Sequence, residues 1–344
     1  MGEPAVTRLN EALLATAAEH KVLRTHRVRA DTTVVAANVA YPTDAGLLAK
    51  AIGKLARTVQ RIQAAGGARR TRATDRRRSA RRRAHQIAKT LRSRSEQAKE
   101  AVLRTTGELA DLAEQATADA ARVTRNTRRS LDRAGTSASG RLRRLVADLD
   151  TTIGRTTRII TQTRTRLAGQ TPEGASRLVS LHDPDARPIV KGRLGKPVEF
   201  GDKAQVVDNP DGVVLDHQVE VGNPVDAPLL VPAVKRVAAR AGRPPRAVTA
   251  DRGYGEAAVD DELHTLGVQR VAIPRKGQPG RARQATEHTR GFRRLVKWRT
   301  GSEGRISYLK HHYGWDRTRM DGIDGARIWC GHGVLAHNLG ACQS

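Results

Sequence analysis

Leu9, Leu13, Leu14 and Ala17 recur at helical spacing and predict a helix over residues 1–20. The stretch HRVRADTTVVAANV (26–39) abandons that period. It is short and β-branched, so it predicts a strand, with 27–37 as its body. YPTD (41–44) reads as a turn. Thr43 or Asp44 can cap a helix that begins at Ala45 and stops at the breaker Gly66-Gly67. Residues 68–134 contain no proline. Their sparse apolar stripe (Leu91, Ala98, Val102, Leu109, Leu112, Ala116, Val123, Leu131) predicts one long helix, about 100 Å at 1.5 Å per residue. GTSASG (135–140) reads as a flexible turn. Beyond it Leu142, Leu145, Leu149, Ile153, Ile160 and Leu167 are spaced near the coiled-coil period. The two runs predict an antiparallel helical hairpin. A stripe so thin in large apolar residues leaves partial disorder as the alternative.

From Ser180 the pattern changes. HDPDARPIVKGRLGKP reads as loop. VEFGDKAQVVDNPDGVVLDHQVEVG (198–222) predicts a β-hairpin turning at Asn-Pro-Asp-Gly. A helix is expected over 227–240, a strand over 247–250, a helix over 256–266 and a strand over 268–274. The basic loop KGQPGRARQ and a helical stretch over about 287–312 follow. The expected fold is therefore α/β, a mixed five-stranded sheet with helices. It is interrupted after the first strand by a long basic all-α insertion. The implied division is 1–44 for the leading helix and first strand, 45–170 for the insertion and 171–344 for the rest.

Charge sharpens this picture. The 344 residues carry a net charge of +27, which points to a polyanionic partner, nucleic acid before an anionic membrane. Residues 57–166 hold 26 Arg and 2 Lys against 10 Asp and Glu, and no aromatic residue lies between Tyr41 and Phe200. Such a region suits sequence-tolerant, salt-dependent binding to double-stranded DNA; a solvated face with no partner is the plainer reading. No apolar window is long enough to span a membrane, and the acidic start does not read as a signal peptide. Two cysteines, Cys330 and Cys342, fit a reducing, cytoplasmic setting.

Three acids stand out as candidate chemistry. Asp31 lies in the first strand and Asp251 ends a later one. Glu303 lies in KWRTGSEGRISYLKHHYG, between Arg299 and Lys310. Carboxylates converging at one edge of an α/β sheet suit hard divalent cations, Mg²⁺ or Mn²⁺, and a pair of such ions suits phosphodiester chemistry. Asp216, Asp183 and Asp185 are rivals for the place of Asp31, and Asp44 reads as a helix cap. Glu303 has the alternative of an ion pair with Arg299 or Lys310. Cys330, His332, His337 and Cys342 have zinc-ligand chemistry but match no strong spacing template. Tyr254, Trp298, Tyr308, Tyr313 and Trp315 are candidates to stack on an unpaired base, with core packing as the alternative.

The segments RADTTVVAANVAYPTDAGLL, VTADRGYGE and WRTGSEGRISYLKHHYG resemble those of bacterial insertion-sequence transposases with an RNase H-like DDE domain. Arg299, Glu303 and Lys310 match Arg-x3-Glu-x6-Lys of that family's signature, whose preceding Tyr is Val296 here. GVLAHNL, with His337 and Asn338, is similar as well. The resemblance covers about 20–50 and 180–340. It implies that Asp31, Asp251 and Glu303 are catalytic and hold two Mg²⁺ (or Mn²⁺) ions, and that Arg299 and Lys310 contact DNA near the scissile phosphate. Arg252, Lys276 and Arg305 beside these motifs are further expected DNA contacts. The implied reaction is metal-dependent strand cleavage followed by strand transfer, in a homodimer on element ends and target DNA. Family members carry a region ahead of the first catalytic strand, which this chain is expected to lack. An inactive DNA-binding remnant and a basic coiled-coil architectural protein stay open as alternatives.

Overall fold

The computed structural model describes residues 2–21, 23–134, 140–190 and 197–342. Residues 135–139 of the expected GTSASG turn lie outside the described residues. The chain divides into two compact units, one of residues 1–38 and 185–344 and one of Val39–Pro184.

The first unit is built on a six-stranded sheet. Its strands are β1 (Arg27–Ala36), β2 (Arg187–Val190), β3 (Val198–Asp208), β4 (Val214–Glu220), β5 (Ala247–Ala250) and β6 (Arg270–Ala272). β3 runs antiparallel to β1, and β5 and β6 continue parallel beyond β1. Gly201 pairs with Ala36 on one side and Arg187 on the other, so β2 lies on the edge of β3 away from β1. β4 pairs with β3 from Lys203 to Asp208 along that same edge. The hairpin turns as expected. Asn209 Oδ1 accepts from the N–H groups of Asp211 and Val213, and Gly212 takes φ +84°. Strand alternation splits the sheet into two apolar faces. Val28, Ala30, Val207, Val248 and Ala250 pack with α6 (Ala227–Ala241) and α7 (Ala257–Thr265). On the other face Ala247 and Ala272 meet α9 (Arg290–Arg299). There Val35, Ala204, Val206 and Val214 meet α10 (Gly301–His312) and α11 (Gly322–Ala341).

Several expectations need correction. The sheet has six strands, not five, because the stretch read as loop contains β2. Ile189 is buried on it, but four residues with one proline carry too little alternation to register as a strand. The helical stretch 287–312 is two helices, α9 and α10, broken at Thr300, and α8 (Arg281–Glu287) begins within the stretch read as a basic loop. In α1 (Glu3–Glu19) the buried face is Val6, Asn10, Leu14 and Ala17, while Leu9 is exposed. Asn10 is admitted because its Nδ2 donates to Val6 O and to Gly331 O on α11.

The second unit holds α2 (Asp44–Ala64), α3 (Arg77–Thr90), α4 (Glu96–Ala134) and α5 (Gly140–Leu167) around their own core. The single helix expected over 68–134 is two, since α3 ends at Thr90 and leaves Leu91 exposed as its cap. Thr43, rather than Asp44, caps α2, with its side chain accepting from Gly46 N. Asp44 instead accepts from Arg166 Nη1 at 2.8 Å. The thin stripe suffices for a core because Ala110, Ala113 and Ala120 are buried on α4 beside Leu109 and Val123, where small side chains allow helices to pack closely. Buried threonines extend it. The hydroxyls of Thr127, Thr156 and Thr163 bond carbonyls four residues back, at 2.7, 2.6 and 2.7 Å, and so present their methyl faces to neighbouring helices.

Candidate active site

Parallel pairing of β1 and β5 puts Ala30 beside Ala250. The next residue on each chain is an aspartate, so Asp31 and Asp251 stand side by side. Asp31 shares its strand face with Arg29 and Val35, the face that α9 and α10 cover. Glu303 lies in the first turn of α10, just past the break at Thr300. Arg299, at the end of α9, joins two of the acids: its Nη1 is 3.2 Å from Asp31 Oδ2 and its Nη2 is 3.5 Å from Glu303 Oε1. The Glu303 side chain is 70% exposed against 11% for Asp31, so the pair shares one guanidinium between a buried carboxylate and an outer one.

The buried acids are electrostatically strained. Burial pushes the Asp31 carboxyl from an ordinary 3.8 to about 6, with the charges of Asp251 and Glu303 adding to the rise. The N–H of Thr32 and the guanidinium of Arg299 work against it. Burial likewise raises Asp251, helped by the charge of Asp226, while the N–H of Gly253 lowers it. Gly253 N donates to Asp251 Oδ1 at 2.8 Å, which turns the chain into the short helix Arg252–Tyr254.

Asp226 was not singled out by the sequence pattern. It precedes α6, but its side chain makes no cap bond. Its Oδ1 accepts from Lys203 Nζ at 2.8 Å and from Thr32 Oγ1 at 3.2 Å. A Cβ on Gly253 would lie 2.6 Å from its Oδ2. A fourth carboxylate thus borders the Asp251 turn, neutralised by a buried lysine. The absent cap bond is visible only in three dimensions.

The other expected residues sort by contact. Arg252 is exposed on the turn that follows Asp251. Lys276 is exposed too; its N–H donates to Gly255 O at 2.8 Å and its ammonium is 3.3 Å from Glu256. Lys310 Nζ donates to Val34 O at 2.8 Å and so fastens α10 to β1. Arg305 is turned inward, 3.5 Å from Asp208 and 3.2 Å from His337 Nε2. Asp208 also accepts both arms of Arg29 at 2.8 Å. His337 Nε2 lies 2.9 Å from Gly212 O, and Asn338 bonds both backbone groups of Val214, so the GVLAHNL ending clamps α11 to the hairpin. Val296, where the family signature has Tyr, packs against the cluster of Ala247, Phe292 and Leu295.

The rival acids have other work. Arg236 and Arg240 hold Asp216, and Asp185 Oδ2 accepts from Ile323 N at the start of α11. Asp183 belongs to the helical unit. Of the aromatic candidates, Tyr254 and Trp315 are fully buried and do not serve as stacking platforms. Tyr254 OH accepts from Gln205, and Trp315 Nε1 donates to Cys330 O. Trp298 is already covered by the guanidiniums of Arg27 and Arg29 at 4.6 and 4.8 Å, while Tyr308 is exposed.

Three carboxylates are hard oxygen donors, which suits Mg²⁺ or Mn²⁺ in kind. The raised Asp31 is a carboxylate short of positive charge. Among the described residues, no three His, Cys, Asp or Glu side chains are gathered closely enough to hold a metal ion. Arg299 supplies the positive charge between Asp31 and Glu303. No described helix is long and apolar enough to cross a membrane.

The family model of the transposase DDE domain matches residues 176–339, a span that includes Asp251 and Glu303 and excludes β1 with Asp31. No curated protein and no solved structure matches the chain.

Proposed function

We propose, for a chain whose residues 176–339 belong to the transposase DDE domain family, that Asp31, Asp251 and Glu303 form the metal-binding triad of a DNA strand-cleaving and strand-transferring enzyme. The observation that carries this reading is the position of Asp31 and Asp251, each one residue past the paired Ala30 and Ala250 of adjacent parallel strands, with Arg299 linking Asp31 to Glu303. On this reading the sheet is an RNase H-like core and the unit Val39–Pro184 is a helical insertion after its first strand.

Asp31 and Asp251 would hold divalent cations, Mg²⁺ or Mn²⁺, from the sheet, with Glu303 joining from α10 once it leaves Arg299. Two such ions, if bound there, would supply Lewis acidity for the attacking and the leaving oxygen. The protein's own groups do the rest. Arg299, released by Glu303 and still on Asp31 through Nη1, would offer Nη2 to a phosphate oxygen. Arg252 and Lys276, exposed on either side of the Asp251 turn, meet the backbone of the same duplex. Lys310 and Arg305 hold α10 on the sheet, and so hold Glu303 in reach. Lys203 and Asp226 brace the Asp251 turn against β1.

The test is nicking of a labelled duplex carrying the element's flanking DNA, with Mg²⁺ or Mn²⁺. The wild type is expected to cut, and Asp251→Asn to bind without cutting. If neither cuts while both bind with steep salt dependence, the chain is a DNA-binding remnant.

A further inference from the structure

At the end of the sheet away from the carboxylates lies a cleft of about 610 Å³ lined by His26, Arg27, Arg246, Arg270, Arg290 and Arg294, with no acidic residue in its lining. The sheet register brings these residues together. Arg27 pairs with Ala247, which pairs with Arg270, and Arg246 directly precedes Ala247. α9 packs on Ala247 and Ala272 through Phe292 and Leu295, so Arg290 and Arg294 reach the cleft one helical turn apart. Among the described residues the side chains of Arg246, Arg270, Arg290 and Arg294 make no hydrogen bond or ion pair, and Arg27 Nε is buried without a partner. Elsewhere in this unit arginines find carboxylates: Arg29 with Asp208, Arg236 with Asp216, Arg283 with Asp260. The field is uncompensated. Burial and then the charges of Arg27, Arg24, Arg246 and Arg243 depress the His26 imidazole, and burial followed by Arg294 depresses Arg27.

We propose that this cleft is a second DNA site, which grips the phosphate backbone of a duplex away from the scissile bond. Guanidiniums suit phosphate because their fork matches two of its oxygens. Ala247 and Asp251 are four residues apart on one strand, about 13 Å at 3.3 Å per residue. That is about four base-pair rises, so one duplex can touch both. The lining holds no Phe, Tyr or Trp to stack on an unpaired base, and Trp298 on α9 is covered by arginines. It therefore fits the backbone of a duplex and reads no sequence. The choice of DNA over another polyanion rests on the function proposed above; the anion site itself does not.

The test uses the full chain without divalent metal, so cleavage does not enter. Anisotropy of a labelled duplex is read over a salt series for Arg246→Gln/Arg270→Gln/Arg294→Gln. The controls are the corresponding triple Lys variant and Arg8→Gln/Lys235→Gln/Arg319→Gln, which removes equal charge from exposed positions outside the cleft. We expect the cleft Gln variant to lower the slope of log affinity against log salt by about 2–3, near 0.9 per lost phosphate contact, and to bind about tenfold or more weakly. The Lys variant should keep the slope, which also excludes misfolding as the cause. Equal losses in the cleft and control Gln variants, or no loss in either, overturn the site. Unchanged duplex binding with lost binding to single-stranded RNA or to phosphatidylserine vesicles overturns DNA as the ligand. A wild type that fails to nick with Mg²⁺ while the cleft variant still loses slope sinks the catalytic reading alone.

Discussion

On the proposed function, Asp31 sets a conflict between stability and chemistry in one side chain. Its folded value of about 6 lies above the ordinary 3.8. The folded state therefore holds the proton more tightly than the unfolded chain does. The neutral form's stability is fully present below pH 3.8 and is lost as pH rises through 6. The full shift corresponds to about 3 kcal/mol at neutral pH. Asp31→Asn is accordingly expected to be more stable than the wild type at pH 7 without divalent metal, by up to about 3 kcal/mol. The difference should vanish near pH 4, and the variant should not cut DNA. Urea melts at both pH values check this; an Asn variant less stable than the wild type at pH 7 would refute the assignment of strain to Asp31. At this scale the sequence carried much of the candidate site. Asp251 and Glu303 were legible because each sits in a short motif. Asp226 was not, because its role depends on where Lys203 and Thr32 come to lie. Nor was the inward turn of Arg305 and Lys310, since a basic residue beside an acidic one reads alike whether its partner is a phosphate or a backbone carbonyl.

Among the elements, the turn Asp251–Gly255 carries the most constraint. A Cβ on Gly255 would overlap Pro274 O, the carbonyl of the chain leaving β6. Gly255→Ala must therefore push that chain away from the Asp251 turn, at a cost of about 1–3 kcal/mol by overpacking. It is expected to lower the melting temperature and to depress nicking more than duplex binding, since only the carboxylate position changes. Binding and nicking lost in equal proportion would point to general unfolding. The elements were legible where the period ran long, as in β1, β3 and α6. They were not where a break was local. The α9–α10 break falls at Thr300, just before Gly301, within a stretch read as one helix, and it leaves Arg299 at the end of α9 beside Asp31. β2 depended on a partner strand that lies beyond it in sequence.

Over the whole molecule, a charge of +18 on residues 57–166 rests on a core of its own, which the disorder alternative did not anticipate. The core includes Leu48, Ile52, Leu109, Leu149 and Ile159, all fully buried. The fragment Val39–Pro184 is thus expected to fold alone, with a helical circular dichroism spectrum and one cooperative melt. Leu109→Ala should cost it about 2–5 kcal/mol. A broad, non-cooperative melt would show that this unit depends on the rest of the chain. On the proposed function, strand transfer would bring two ends together, so the chain is further expected to sediment as a dimer on element-end DNA; a monodisperse monomer with ends bound would sink that.

What the sequence determined by itself is the alternation of strands and helices, the excess of arginine in the middle and the local motifs around Asp251 and Glu303. Each depends on neighbours within a few residues, where periodicity and turn chemistry act directly. What only the tertiary structure decided is which charges meet. Asp31 reaches Asp251 through sheet register, Asp226 reaches Lys203 across a hairpin, and Arg27, Arg246, Arg270 and Arg294 converge on one cleft with no acid among its described lining. Those pairings bring together residues far apart in the chain. Their energies arise from burial and proximity, which exist only once the sheet has formed.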